Sequence, residues 1–169
     1  MKTILLMRHG KSNWNSPKTI DADRSLAKRG KKDAKRMGRV LVRFDHVPDR
    51  IVSSPALRTK QTAEIVAGEC RLSQPVFFDK SLYHGGSGDV LRAIRLLPAE
   101  IERPLIVGHN PAMKETAGLL LSGGRGNGIK FPTAALVCFL FDSFVWGSFD
   151  PDGCTLLWYL IPRLVKAAG

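Results

Sequence analysis

Apolar runs recur along the chain with polar, helix-patterned stretches between them. Those that read as buried strands are TILLM (3–7), RIVSS (50–54), PLIVG (104–108) and, near the C-terminal end, the longer ALVCFLF (135–141) with TLLWYLI (155–161). Residues 25–44 put Leu26, Ala34, Met37 and Leu41 on one helical face and lysines and arginines on the other. Residues 55–68 and 111–121 also pattern as helices, and 88–97 as a shorter one ended by Pro98. Such alternation predicts an α/β architecture, a largely parallel sheet covered by helices on both sides. The last two strands are separated by DSFVWGSFDPDG, whose Asp-Pro-Asp-Gly supplies turn chemistry, so they are expected as antiparallel neighbours or an edge hairpin. The SGGRGNG stretch (122–128) reads as a mobile loop, its contact with substrate left open.

At 169 residues, 44% hydrophobic and 24% charged, the chain fits one domain, 1–169, that can bury a core without staples. No apolar stretch approaches the roughly 20 residues that span a bilayer, so no membrane partner is expected. The start has no signal-peptide pattern, which makes the cytoplasm the expected location. Cys70, Cys138 and Cys154, odd in number and set among apolar neighbours, read as reduced core residues. The net charge of +11 attracts anions of every kind and cannot choose among them. Much of it lies in KRGKKDAKRMGR (28–39), either a nucleic-acid stripe or, more commonly, the solvated face of an amphipathic helix.

In open α/β sheets ligands sit at the carboxyl ends of strands. Here the first strand is followed by Arg8-His9-Gly10, the second by PALRT with Arg58, and the third by His109-Asn110-Pro111. A parallel sheet would bring these two arginines and two histidines to one edge. Ser54-Pro55 and Asn110-Pro111 each read as an N-cap followed by proline at the first helical position, so two helix N-termini are expected beside them. Helix starts favour anions, and two guanidinium forks make a phosphoryl group the natural ligand.

The stretch LMRHGKS resembles the Arg-His-Gly signature of the histidine phosphatase superfamily, which includes phosphoglycerate mutases and acid phosphatases. The resemblance continues through SLAKRGKKDAKRMG, IVSSPALRTKQTAEIVA and LIVGHNPAM, and so covers nearly the whole chain. The compact length resembles the SixA-type phosphohistidine phosphatases, which lack large insertions over the active site. It implies a phosphoglycerate mutase-like three-layer sandwich with a mainly parallel central sheet, and it assigns Arg8, His9, Arg58 and His109 to the phosphate pocket.

On this reading neutral His9 attacks phosphorus and forms a phosphohistidine intermediate that water cleaves. Arg8 and Arg58 grip the non-bridging oxygens, and a protonated His109 donates a further hydrogen bond. Lys11, Ser12 and Asn13 are candidate substrate contacts, Lys11 having the best physical case as a positive charge beside the nucleophile. Superfamily members acting on phosphate esters commonly carry a carboxylate before the strand leading to His109. The matching KSLYHGGSGDV has no Glu, which leaves His84, Asp89, Asp21 and Asp23 as candidate proton donors.

A phosphorylated imidazole can leave as a neutral base once protonated on its own ring, so the missing acid favours a phosphohistidine-bearing protein as substrate. The alternatives are a small-molecule phosphomonoesterase and a non-catalytic, basic polyanion-binding module; the latter lacks a nucleic-acid signature, and no nucleic-acid partner is expected. Free phosphate or sulfate would suit the same pocket. His9, His46, His84 and His109 show no short-spaced pair and the cysteines no C-x-x-C, so no metal and no cofactor are expected, and the chain is expected to be a monomer.

Overall fold

A computed structural model describes residues 1–14, 20–122 and 129–168. Its strands are β1 (Lys2–Arg8), β2 (Arg50–Ser53), β3 (Phe77–Phe78), β4 (Pro104–Gly108), β5 (Leu136–Phe141) and β6 (Cys154–Leu160). Its helices are α1 (Lys28–Arg43), α2 (Leu57–Glu69), α3 (Ser81–His84), α4 (Ser87–Arg95), α5 (Ala112–Ser122) and α6 (Pro162–Ala167), with 3-10 turns at Asp21–Asp23, Trp146–Ser148 and Pro151–Gly153.

The strands form one sheet in the order β3-β2-β4-β1-β5-β6. The first four in that order run parallel, and β5 and β6 pair antiparallel, as the turn chemistry between them requires. Successive side chains of β1 point to opposite faces. Ile4 and Leu6 enter a core with α4, α5, Phe139 and Trp146, whereas Leu5 and Met7 enter a second core with Met37 and Leu41 of α1 and Ala63 and Val66 of α2. The result is a three-layer α/β sandwich, helices on both faces of a mixed sheet.

Lys2 is 1% exposed, a burial no apolar pattern reveals. Its Nζ donates to the carbonyls of Ala99 and Ile101 (2.7 Å each) and pairs with the exposed carboxylate of Glu102 (3.1 Å), so the buried charge is fully partnered. Cys70 and Cys138 are buried as expected; Cys154, on the edge strand, is only half-buried. No helix among the described residues is long and apolar enough to cross a membrane.

Candidate active site

Strands β1, β2 and β4 end on one edge of the sheet, and each delivers reactive side chains there. His9 continues the β1–β4 ladder by donating its N–H to Gly108 O (3.1 Å), while the carbonyls of Arg8 and His9 share the Ala134 N–H (3.0 Å each). Gly10 N–H donates to Thr62 Oγ1 (3.0 Å), and the Thr62 hydroxyl donates to Arg58 O (2.7 Å), tying the turn to α2. Gly10 has no room for a side chain: a Cβ would meet Gly30 O at 2.7 Å, and one on Gly30 would meet Lys11 O at 2.2 Å. The first turn of α1 therefore rests directly on the backbone that carries His9.

His9 is 7% exposed and its Nδ1 hydrogen-bonds Gly10 O (2.7 Å); with Nδ1–H as donor, the lone pair lies on Nε2. Burial lowers its pKa to about 4 against the Gly10 hydrogen bond, with Arg58, Arg8 and Arg24 adding to the depression. The result is a neutral, fixed imidazole, the state a nucleophile at phosphorus needs. The His109 ring lies 5.2 Å away between centroids, and its Nε2 bonds Ser54 Oγ (2.8 Å). Burial first, then His9, Arg58, Arg8 and His84, lower His109 to about 3. In the chain by itself, burial first and then the cations around it hold the ring neutral; the protonated His109 expected from the sequence belongs to the phosphate-bound state. When Ser54 donates that bond, the neutral ring keeps its proton on Nδ1 as a hydrogen-bond donor.

Arg8 donates from Nη1 to Phe131 O (3.1 Å). Its Nε is buried with no hydrogen-bond partner among the described residues. Arg58 is gripped by Asp21, Nη1 on the backbone carbonyl (2.6 Å) and Nη2 on Oδ2 (2.9 Å). Arg8, His9, Arg58 and His109 line one cavity of about 440 Å³.

The other candidates divide. Lys11, Ser12, Asp21 and His84 line the same cavity; Asn13, Asp23 and Asp89 do not. Asn13 donates its N–H to Ser25 O (2.9 Å), Asp23 is exposed, and Asp89 caps α4 by accepting from Gly86 N–H (3.1 Å). Asp21 Oδ1 ion-pairs with Arg24, and Oδ2 accepts from Arg58 and from Tyr83 Oη (2.9 Å). Of the 122–128 stretch, Ser122 ends α5 and the rest lies outside the described residues.

Two helix starts differ from expectation. Helix α2 has Ala56 as N-cap without a side-chain hydrogen bond; the Ser54 hydroxyl lies two residues earlier, bonding His109 Nε2 and accepting from the Ala56 N–H (3.4 Å). Asn110 likewise donates to Phe131 O (2.9 Å) rather than capping α5, which begins at Ala112. Sequence reasoning missed Arg24 and Tyr83. The Arg24 guanidinium stacks 3.7 Å from the Trp14 ring, and Tyr83 sits against His84 (3.9 Å) and His109 (5.7 Å) between centroids. The signal for Arg24 was the DADR cluster just ahead of α1, and for Tyr83 its place in the stretch searched for an acid.

The sequence profile of the histidine phosphatase superfamily (branch 1) matches residues 4–89. A structure of the protein histidine phosphatase SixA complexed with tungstate superposes with a TM-score of 0.79 at 26% identity, covering 97% of this chain and 99% of that one. An uncharacterized protein of Mycobacterium leprae is 28% identical over 93% of this chain and 100% of its own length. A chloroplastic protein of Arabidopsis thaliana is 28% identical over 80% of this chain, and the match spans 66% of its length.

Proposed function

From its membership of the histidine phosphatase superfamily (branch 1), we propose that the chain removes phosphate from phosphohistidine on a protein, by way of a phosphohistidine intermediate on His9. One observation carries the reading: His9, neutral and fixed by Gly10 O at 2.7 Å, lies in one cavity with Arg8, Arg58 and His109. Nε2 attacks phosphorus, its bond to phosphorus forms, and the bond to the substrate imidazole breaks as that ring leaves carrying a proton. Water then attacks the phosphorus, the His9 bond breaks, and inorganic phosphate departs. Arg8 and Arg58 neutralise the non-bridging oxygens in both steps. The dianion also supplies the counter-charge that His109 lacks in the chain by itself, which favours proton uptake on that ring as phosphate enters.

The phosphoramidate preference is supported by the state of the acids. Among the described residues lining the cavity Asp21 is the one carboxylate, and its oxygens are already engaged by Arg24, Arg58 and Tyr83. An alkoxide needs a free acid to leave; an imidazole does not. The likeness to the tungstate-bound SixA supports a tetrahedral oxyanion as the ligand. Phosphate release from a phosphohistidine-bearing phosphotransfer domain and from an alkyl phosphate monoester, measured with wild type and His9→Ala, tests the reading. Preference for the phosphoprotein, lost in the variant, supports it; preference for the ester makes the chain a phosphomonoesterase with its acid among Asp21, His84 and Tyr83.

A further inference from the structure

We propose that the exposed basic face of α1, with α6 beside it, docks the acidic surface of the protein substrate whose phosphohistidine enters the His9 cavity; the inference rests on the phosphohistidine reading above. Helix α1 holds eight basic residues and one acidic one, a net +7 of the chain's +11. Asp33 is buried and serves Arg36 (2.7 Å) and Arg29 (3.4 Å), and Glu69 of α2 serves Arg39 (2.9 Å). Among the described residues no ion pair engages Lys28, Lys31, Lys32 or Lys35, all exposed. The uncompensated charge is therefore concentrated on the half of α1 nearer the catalytic turn.

Position ties this charge to the site. Ala27, the residue before α1, donates its N–H to Lys11 O (2.8 Å), and Lys11 is exposed and lines the catalytic cavity. From that point the cationic track runs the length of α1, roughly 24 Å for 16 residues at the helical rise. Grooves flank it on both sides: one of about 510 Å³ against α2 holds Gln61, Ile65 and Glu64, whose carboxylate pairs with Lys60 (3.9 Å), and one of about 470 Å³ against α6 adds Arg163 and Lys166. A phosphoryl group alone needs none of this length, whereas a folded substrate presenting phosphohistidine covers the cavity rim, to which the N-terminal end of α1 is tied through Ala27 and Lys11. Charge complementarity identifies its chemistry as acidic. Single-stranded nucleic acid fits less well, because α1 offers no aromatic ring on which a base could stack.

The test uses the full chain and a charge reversal of Lys28→Glu, Lys32→Glu and Lys35→Glu together, none of them lining the catalytic cavity. Three readouts are taken from about 50 to about 300 mM salt, the range over which exposed charges become screened. These are aryl phosphate turnover, kcat/KM on an acidic phosphohistidine-bearing phosphotransfer domain, and binding of that domain unphosphorylated alongside a DNA duplex and a single-stranded oligonucleotide. Expected is a loss of about tenfold or more in phosphoprotein kcat/KM at low salt, with a flattened salt dependence and aryl phosphate turnover unchanged. An unaltered phosphoprotein rate and domain affinity in the variant overturns the docking surface while leaving the phosphohistidine reading intact. Charge-dependent domain binding without phosphohistidine hydrolysis in wild type supports the surface and overturns that reading instead. Loss of nucleic-acid binding with no change toward the acidic domain reassigns the face to nucleic acid and overturns the proposal.

Discussion

A histidine attacks phosphorus only while its ring is neutral, and His9 is held neutral by its surroundings rather than by its intrinsic chemistry. Burial and the guanidinium charges of Arg58, Arg8 and Arg24 bring it to about 4 from 6.5, despite the opposing Gly10 hydrogen bond. The acid limb of kcat/KM assignable to the free enzyme is therefore expected near pH 4, with little loss between pH 7 and pH 5.5 on an aryl phosphate. A limb near pH 6.5 would show that an ordinary histidine, or another group, limits the reaction. His9 and its three partners are legible in the sequence because each follows an apolar run within a few residues, and β-strand geometry carries them to one edge. Arg24 and Tyr83 are not, since nothing local says that a 3-10 turn 12 residues past His9 folds back over the cavity. The same blindness made Asp21 look like a free acid, when its charge is spent between two arginines.

The contact between α1 and the catalytic turn makes an element-level prediction with an unusual sign. Glycine inside a helix costs roughly 1 kcal/mol relative to alanine, so Gly→Ala in α1 would ordinarily stabilise the protein. At Gly30 the added Cβ would sit 2.2 Å from Lys11 O and 2.8 Å from Lys11 N, both backbone atoms that cannot rotate away. Gly30→Ala is expected to lower the melting temperature and, by displacing the His9 turn, to cut aryl phosphate turnover about a hundredfold, the penalty for misplacing a reacting group by about 1 Å. Higher stability with full activity would mean that helix and turn are not packed as described. The glycines are plain in the sequence, but their partnership is not, because it joins residues 20 apart through tertiary packing. Strand β3 and helix α3 escape the pattern for a related reason: Phe77–Phe78 and Ser81–His84 are too short to develop a period. The proline-marked helix starts misled in the opposite way, since Ser54 and Asn110 have capping chemistry but are drawn to tertiary partners.

At the scale of the whole molecule, a strongly basic chain keeps two imidazoles neutral beside its own guanidinium groups, and this links folding to pH. His9 is depressed to about 4 and His109 to about 3, so in the window between those values and 6.5 the unfolded chain binds protons that the native chain does not. Stability then rises with pH across the window, is fully present above 6.5, and is lost as pH falls. From pH 7.5 to pH 5 in phosphate-free buffer, each ring is expected to withdraw about 2 kcal/mol of unfolding free energy. His109→Gln should remove roughly half of the slope in a urea titration series, because the glutamine cannot take up a proton in either state. Added inorganic phosphate should oppose the acid loss more strongly than chloride of equal ionic strength, since a bound phosphate anion stabilises the charged ring that burial otherwise forbids. A wild-type profile flat to pH 5 would mean that the two rings titrate alike folded and unfolded. The buried, cation-ringed site described above would then be more open to water than its 7% and 9% exposures indicate.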